Sequence, residues 1–537
     1  MKKIIKLTAL ITALAALTAC QPIPDDPNAS RTSSDMSIFS DTSSTTSGKD
    51  TDTIKEHIVV KQSFTKRLEA EKGAFSGTAM DENGELTDPE KGGFVALSGD
   101  QYVTQVASVA TSQFYRVVIL ARSLDGAVIK LQIGDIVEGA YYIPKSESTE
   151  SGSAEFGLYA VDNLYMPVGM NTIRLVIESG TADIDCFIVE DSEPVNSSAY
   201  ETGNMCVSEN PSARTMALFS ALTKYYGKVS FVGQNVSCGT NAEIDAVFNE
   251  TKRYPAIRIS ELAPALKEDA ESVETIKADV ALAKQWDKDG GICSYIWHWY
   301  SPNAFRSTAV KDFDLKDAFG KTEPEETALL DDPTIKLQLE SGLIAQETSD
   351  LLADLDKLAA TIKELADANI PILFEPIPDG DTGLFWWSTD AENYTLLWRL
   401  IFTRLCKYHG LNNLIWVWNN SDFEFYPGDE YVDIIGQSFY EKTQSSFAGR
   451  FGSLAENPYS ARKCLAVTAC DTIPSVDYMN RDNAVWLWFA LDSGEYIINN
   501  SGKFSDKYNK RTALRFAYNN EKCITRDELA EFGWAPA

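Results

Sequence analysis

The sequence is short of the residues that build metal centres and nucleic-acid surfaces. Only three of its 537 residues are histidine, which excludes a histidine-rich metal centre, and none of its nine cysteines forms the CxxC pair that zinc sites commonly use. Lys and Arg number 48 against 78 Asp and Glu, giving a formal net charge of −30. This shortage of positive charge argues against nucleic acid or an anionic membrane surface as a partner and favours an uncharged or cationic ligand.

Long apolar runs are also scarce, and the one that stands out lies at the N-terminus. Residues 4–17 are apolar but too few for an ordinary membrane span, and Lys2 and Lys3 precede them. A Leu-Thr-Ala-Cys stretch ending at Cys20 follows, which resembles a bacterial lipobox. We therefore expect residues 1–20 to be a lipoprotein signal peptide and Cys20 to carry a lipid that anchors the exported chain at the cell surface or facing the periplasm. An ordinary signal peptide with an incidental cysteine is the alternative.

Two segments lack the apolar residues needed for a core. Residues 21–58 are rich in Ser, Thr, Asp and Pro and predict a disordered tether, and residues 192–210 predict a polar linker. They leave two folded units, at residues 59–191 and 211–537. Eight cysteines follow Cys20, and the sequence leaves open whether they form disulfides or remain buried thiols.

The two units differ in their apolar patterns. Residues 59–191 contain short alternating runs, such as 115–121, broken by Gly, Asp and Ser, which predicts an all-β sandwich. From residue 211 onward, eight apolar strand candidates alternate with helical stretches, the pattern of a (β/α)8 TIM barrel. An open doubly wound sheet is disfavoured because residues 231–235 form no Gly-rich phosphate turn. We therefore expect chemistry at the carboxyl ends of the barrel strands.

The two ends of the sandwich carry acidic residues. Glu69 and Glu71 lie at its opening, and residues 169–175 and Asp185 lie at its close. These ends resemble those of family 35 carbohydrate-binding modules, which are jelly-roll β-sandwiches. The resemblance implies a structural calcium ion held by Glu69, Glu71 and Asp185, and carboxylate oxygens suit that ion. A solvated acidic strand edge is the alternative.

Three stretches of the second unit carry specific motifs. They are residues 295–303 (YIWHWYSPN), 371–387 (PILFEPIPDGDTGLFWW) and 426–436 (YPGDEYVDIIG), the last of which is followed by Tyr440. Together they resemble glycoside hydrolase family 26, whose members are mostly endo-β-1,4-mannanases, over about residues 210–520. The resemblance implies retaining hydrolysis by two carboxylates about 5–5.5 Å apart, with no cofactor for the chemistry.

Both catalytic positions implied by this resemblance are altered. Asp379 replaces the acid/base glutamate after the fourth strand, and Ala469 replaces the nucleophilic glutamate of the seventh strand. A methyl group cannot form a glycosyl ester, so the retaining reaction lacks its nucleophile. Where the family carries Asp, Arg, His and Asp, this chain has Glu261, Glu375, Pro378 and Ser438, respectively.

The residues that line the substrate cleft in the family are kept. They are Trp297, His298, Trp386, Trp387 and Tyr440. Aromatic platforms of this kind hold a sugar chain without reacting with it, so the resemblance implies a substrate-binding cleft. For Trp386 and Trp387, ordinary packing at the open end of the barrel is the alternative.

Three hypotheses for the function follow. The leading one is a lipid-anchored surface protein that holds a β-mannan-type polysaccharide through sandwich and barrel without cleaving it. The second is an active endo-β-1,4-mannanase-like glycosidase that pairs Asp379 with a displaced carboxylate, either Asp471 or one of Glu375, Asp381 and Asp492. The third is an adhesion or scaffold role in which the cleft recognises no glycan. The sequence does not distinguish mannan from xylan or mixed-linkage glucan as the ligand.

Overall fold

The computed structural model describes residues 64–89, 92–147, 154–302, 307–309, 313–319, 323–457 and 462–535. The expected signal peptide, the tether and Cys20 lie outside these residues. Within the described part of the chain, no helix combines the length and the apolar character that a membrane crossing requires. The eight cysteines that follow Cys20 are free thiols and form no disulfides with one another. Five of them are buried and three are half-buried.

The first unit, which we call the sandwich, consists of antiparallel strands. They are Thr65–Glu69 (β1), Ala74–Phe75 (β2), Thr78–Met80 (β3), Phe94–Ser98 (β4), Tyr102–Val109 (β5), Gln113–Arg122 (β6), Ala127–Ile133 (β7), Ile136–Ile143 (β8), Gly157–Met166 (β9) and Gly169–Asp191 (β10). The 23-residue strand β10 runs through both sheets. Its first part pairs with β5 and β7, and its second part pairs with β1, β4 and β6.

Side chains from both sheets of the sandwich meet in one core. Val117, Leu131 and Leu175 are fully buried there and come from β6, β7 and β10. Along these strands buried residues alternate with more exposed ones, as expected for antiparallel sheets that have one solvated face. The jelly-roll connectivity of the sandwich remains a prediction.

The second unit is a closed barrel of eight parallel strands. They are Ser230–Asn235 (β11), Ile257–Glu261 (β12), Ile292–Trp297 (β13), Ile372–Pro376 (β14), Leu414–Asn419 (β15), Ile434–Phe439 (β16), Cys464–Cys470 (β17) and Trp488–Leu491 (β18), with Cys523–Ile524 (β19) beside β11. The barrel closes because β11 pairs in parallel with both β12 and β18. Almost every residue of these strands is buried, as a parallel sheet covered on both faces requires. The predicted TIM-type barrel is confirmed.

Helices surround the barrel. They are Ala213–Tyr225 (α1), Ala242–Thr251 (α2), Ala270–Lys288 (α3), Leu315–Phe319 (α4), Pro324–Thr327 (α5), Asp332–Glu340 (α6), Gln346–Asp367 (α7), Ala391–Phe402 (α8, continued by the π-helical turn Thr403–Tyr408), Ala448–Ala455 (α9), Val476–Arg481 (α10) and Arg511–Tyr518 (α11). Several begin at a capping side chain; those of Ser212, Asp269 and Asp390 accept a backbone N–H of the first turn. Helix α7 buries Leu351, Leu355, Leu358 and Ile362 at helical spacing against the barrel.

One-turn 3₁₀ segments fill several connections. They are Ala70–Lys72, Ser197–Tyr200, Ala263–Leu266, Gly380–Thr382, Phe423–Phe425, Asp429–Tyr431 and Gly494–Tyr496, and the longer Arg526–Phe532 closes the chain. Most of those in the barrel unit follow the carboxyl end of a strand. Together with the strand ends, they frame the opening of the barrel on one side.

Candidate functional site

The carboxyl ends of the parallel strands collect polar side chains at one opening, which we call the barrel mouth. Its members come from β11 to β18 in turn and lie within two residues of each strand end: Asn235, Glu261, His298, Glu375, Asn419, Ser438, Thr468 and Asp492. Asn235, Asn419 and Thr468 are not among the site residues expected from the sequence. The signal that finds them is their position at the end of an apolar strand, where a barrel of this type places its chemistry.

His298 and Glu261 form an ion pair at the mouth. His298 Nδ1 lies 2.6 Å from Glu261 Oε2, and the backbone N–H of His298 donates to Glu261 Oε1 at 3.1 Å. Burial by itself lowers the pKa of His298, but the charge and hydrogen bond of Glu261 outweigh it and raise this pKa to about 9. His298 is therefore a cation at neutral pH. Both side chains are about one-third exposed, at 32% and 29%, so a ligand can reach them.

Glu375 lies at the centre of a buried hydrogen-bond network that links four strands. Its Oε1 accepts from Asn419 Nδ2 at 2.8 Å and from Thr468 Oγ1 at 3.2 Å. Asn419 Nδ2 also donates to Ser438 Oγ at 2.9 Å. Burial raises the pKa of Glu375 to about 8, against the opposing effect of the Asn419 hydrogen bond. Glu375 is thus mostly protonated and neutral at pH 7, at the position where the resemblance to family 26 implies a cationic arginine.

Asp379 lies in a strained turn after β14. Ile377 and Asp379 have φ values of +42° and +57°, in the left-handed region that isoleucine seldom adopts. The Asp379 N–H donates to Asn419 O at 2.9 Å, which fixes the turn against the next strand. Burial raises the pKa of Asp379 to about 7, with His298 pulling it down. This carboxyl group is therefore divided between its acid and base forms at neutral pH, which suits a general acid.

Ala469 occupies the nucleophile position near the end of β17. It lies in register with Ser438 of β16, beyond an irregularity in the pairing of the two strands. Only a methyl group and a hydroxyl group stand at these two positions. Neither can replace the carboxylate that forms the glycosyl ester in the retaining mechanism.

Asp471, the nearest following carboxylate, contacts a different part of the chain. It accepts a hydrogen bond from the backbone N–H of Lys442 at 3.1 Å. Burial raises its pKa to about 6, against a hydrogen bond from Thr472 and the nearby charges of Lys442 and Lys130, which belongs to the sandwich. Asp471 therefore lies on the side of the barrel that faces the sandwich. In the described residues its hydrogen bonds do not connect it to Asp379.

The three tryptophans expected in the cleft are fully buried. Trp386 Nε1 donates to Trp299 O at 2.6 Å, and Trp387 Nε1 donates to Pro378 O at 2.9 Å. Trp297 stacks on Trp299 with ring centroids 4.5 Å apart. These rings form a packed wall beside the mouth and support the turn that carries the acid/base position. Direct stacking of sugar on them remains a prediction.

Tyr440 reaches the mouth itself. Its hydroxyl donates to Asp492 Oδ2 at 2.9 Å, and its ring lies 5.6 Å from that of Tyr496. Tyr440 and Asp492 are half-buried, as is His298. The accessible part of the mouth thus offers the Tyr440 ring, a cationic imidazole and several carboxyl groups, which can bind sugar hydroxyls as donors and acceptors.

Two of the three expected calcium ligands of the sandwich lie close together. Glu69 and Asp185, with Cys186 as a third group, place ligand atoms within 4.8 Å of one another, and this cluster does not include Glu71. Burial raises the pKa of Glu71, and the charges of Glu69 and Asp185 add to this, while Glu71 Oε2 has no hydrogen-bond partner among the described residues. Arg67 contacts Glu69 at 2.8 Å and Asp185 at 2.6 Å. The oxygen donors fit a calcium ion, with Arg67 as a competing cation, and calcium binding remains a prediction.

The barrel unit matches a known family. Residues 207–528 match the model of glycosyl hydrolase family 26. The chain is 28% identical over 381 residues to a mannan endo-1,4-β-mannosidase of Thermothelomyces thermophilus, which covers 68% of this chain and 71% of the relative. It is 24% identical over 486 residues to mannan endo-1,4-β-mannosidase B of Piromyces sp., covering 88% of this chain and 79% of the relative.

Solved structures share the fold over most of the chain. A GH26-CBM35 β-(1,4)-mannanase of Podospora anserina superposes with a TM-score of 0.53 at 24% identity, covering 87% of this chain and 99% of that one. A ruminal GH26 endo-β-1,4-mannanase gives a TM-score of 0.56 at 19% identity, covering 87% and 98%. At these identities the likeness concerns the fold.

Proposed function

Because the chain belongs to glycosyl hydrolase family 26, we propose that its barrel mouth binds a β-mannan-type polysaccharide and leaves it uncut. The ligand class is supported by the two relatives above, both of which are mannan endo-1,4-β-mannosidases. The net charge of −30 also suits a polysaccharide that carries no negative charge. Accessible groups at the mouth, among them Tyr440, His298 and Asp492, would contact its hydroxyls.

The loss of cleavage rests on one observation, the surroundings of Ala469. The residue before it, Thr468, hydrogen-bonds to Glu375, and the residue in register with it is Ser438. The nucleophile and its expected neighbours are therefore replaced by a methyl group, a buried carboxyl group and a hydroxyl group. Asn419 joins the neutral Glu375 to Ser438 by hydrogen bonds, and the Ala469 methyl group beside them provides no anion at the position from which the sugar would be attacked.

The sandwich and the lipid complete the proposal. The sandwich would act as a family 35-like jelly-roll carbohydrate-binding module, so that one chain carries two sites and gains avidity for a long polysaccharide. A lipid on Cys20 would hold both units at the cell envelope. In the native host, the wild-type protein should incorporate labelled palmitate, and a Cys20→Ala variant should not. A wild-type protein that takes up no label would contradict the anchor.

The test is to incubate the purified protein with galactomannan and glucomannan and to measure binding and reducing-end release on the same samples. Binding without release is expected. Tyr440→Ala and His298→Ala should weaken binding, whereas Phe516→Ala, which removes an exposed ring on α11, should not. Xylan and a mixed-linkage glucan serve as competing ligands. The proposal would be overturned if the protein bound all four polysaccharides equally well, or if it bound none of them.

A second function is favoured by Asp379 alone. Its pKa of about 7 is that of a general acid, and a carboxylate elsewhere at the mouth could complete a hydrolytic pair. In that case the wild-type protein releases reducing ends, and Asp379→Asn abolishes the release while binding persists. Release by the wild type would therefore exclude the non-catalytic proposal.

A further inference from the structure

One segment of the barrel unit is held between the sandwich and the barrel mouth. It begins at Tyr440, directly after β16, and ends with helix α9. Its first residue is therefore part of the mouth, and the residues after it contact the sandwich. We call residues 440–455 the bridging segment.

A buried ion pair connects the start of this segment to the sandwich. Lys130 of β7 places its Nζ 2.9 Å from Glu441 Oε2 and 2.8 Å from Glu178 Oε1 of β10. The Glu441 side chain is only 3% exposed. Burial by itself lowers the pKa of Lys130, but these two carboxylates outweigh it and raise this pKa. The ammonium group thus stays charged and ties both carboxylates to one point.

Glu441 has Tyr440 and Lys442 as its direct neighbours in the chain. The hydroxyl of Tyr440 donates to Asp492 at the mouth, and the N–H of Lys442 donates to Asp471. Lys442 has a φ of +53°, in the left-handed region, so the chain turns directly after Glu441. A shift of Glu441 would therefore change the position of the Tyr440 ring.

The rest of the bridging segment packs closely against the sandwich on one side and the barrel on the other. A shift of the sandwich would therefore move this segment relative to the barrel. A Cβ atom on Gly449 would lie 2.9 Å from Tyr141 Oη of β8, and one on Gly452 would clash with Asn163 Oδ1 of β9. On its other side, Arg450 of α9 donates from Nε to Gln437 Oε1 of β16 at 2.8 Å. The glycines thus allow strands of the sandwich to contact the helix directly, and the arginine fixes the helix to the barrel.

We propose that Lys130 of the sandwich is a positioning residue for the barrel mouth, which it serves by holding Glu441 and thereby the Tyr440 ring. The sandwich then has a second role, as the support of one wall of the cleft in the neighbouring unit. This inference rests on the proposed function where it concerns glycan binding. Its structural part, the dependence of Tyr440 on Lys130, stands apart from any ligand.

The first arm of the test measures galactomannan affinity with a charge swap. Lys130→Glu should weaken binding about fivefold or more, the size of a modest coupling between sites, and so should Glu441→Lys. The double variant restores an ion pair and should recover most of the affinity. Lys145→Glu, which changes an exposed lysine of the sandwich, is the matched control and should bind like wild type. A folded Lys130→Glu protein with unchanged affinity would overturn the proposal.

The second arm needs no glycan. In protein labelled at the tyrosine ring, the NMR signal of Tyr440 is assigned by its loss in Tyr440→Phe. This signal should shift in Lys130→Glu and return towards the wild-type position in the double variant, whereas Lys145→Glu should leave it in place. If wild type binds no glycan but these shifts occur, the proposed function fails and the positioning role of Lys130 stands. An unmoved Tyr440 signal in a folded Lys130→Glu protein would refute that role.

Discussion

The Thr468 hydroxyl donates a hydrogen bond to the Glu375 carboxyl group at 3.2 Å, directly before the residue that stands at the nucleophile position. A side chain from the fourth barrel strand thus reaches the end of the seventh. The resemblance to family 26 implies an arginine at the position of Glu375, and an arginine would stabilise a neighbouring carboxylate. Here a carboxylate at position 469 would meet another carboxyl group instead.

This relationship predicts the outcome of rebuilding the catalytic site. Ala469→Glu alone should release no measurable reducing ends from galactomannan, since position 469 is buried and the neutral Glu375 supplies no cation that would keep the new carboxyl group ionised. Adding Glu375→Arg supplies a cation beside it, and adding Asp379→Glu restores the length of the acid/base side chain. The triple variant should show release above the wild-type background, measured by reducing-end assay.

The control is the double variant Glu375→Arg with Asp379→Glu, which has no nucleophile and should remain inactive. Calorimetric melting of each variant separates loss of folding from loss of chemistry. Activity of Ala469→Glu alone equal to that of the triple variant would show that Glu375 does not matter to the site.

The barrel and the changes at positions 379 and 469 could be predicted from the sequence because strand runs and motifs are local signals. The side of the barrel on which Asp471 lies could not be predicted. A strand period of two places it on the same face as Ala469, but β17 ends at Cys470 and the chain turns towards Lys442. The burial of Trp386 could not be predicted from the sequence either. The same ring can pack in a core or stack on a sugar, and only the tertiary contacts decide between these two environments.

The pKa of Glu375 predicts a pH-dependent stability. Its value is about 8 in the folded chain against 4.5 for an ordinary glutamate, so the stabilisation it gives is complete below about pH 4.5 and is lost as the pH rises through 8. Glu375→Gln keeps an oxygen acceptor for Asn419 and Thr468 but does not titrate. The difference in unfolding free energy between this variant and wild type should therefore shift in favour of the variant as the pH rises from 5 to 8.5. The expected shift is on the order of a few kcal/mol.

Thermal melting of both proteins at the two pH values measures this difference. Glu340→Gln, a change at an exposed position on α6, is the matched control and should follow wild type at both values. If Glu375→Gln also follows wild type, the carboxyl group is ionised in the folded protein and the neutral network proposed for the mouth is wrong.

The ion pair of Glu261 and His298 predicts an unusual histidine titration. In wild type the His298 ring should titrate near pH 9, because Glu261 outweighs the effect of burial. Glu261→Gln removes the negative charge and leaves the burial, so the pKa should fall by well over one unit. NMR of the ring signals measures both values, and with only three histidines in the chain, His57→Gln and His409→Gln complete the assignment. A wild-type His298 that titrates below pH 7 would contradict the cationic mouth.

The acidic cluster of the sandwich predicts a calcium effect that Arg67 should limit. If calcium binds Glu69, Glu71 and Asp185, millimolar calcium should raise the melting temperature of the protein, and a chelator should reverse this, because a ligand that binds only the folded chain stabilises it. Glu71→Gln should abolish the effect, whereas Glu82→Gln, an exposed change in the same unit, should keep it.

Arg67 gives this prediction its sharper form. Its guanidinium group already lies 2.8 Å from Glu69 and 2.6 Å from Asp185, so it must give way or share these oxygens when calcium binds. Arg67→Met removes the competing charge and should therefore bind calcium more tightly than wild type in a titration followed by melting temperature. If neither wild type nor Arg67→Met responds to calcium, the cluster is an ordinary acidic strand edge neutralised by arginine. A response of Arg67→Met alone would mean that the arginine has taken the place of the ion in this chain.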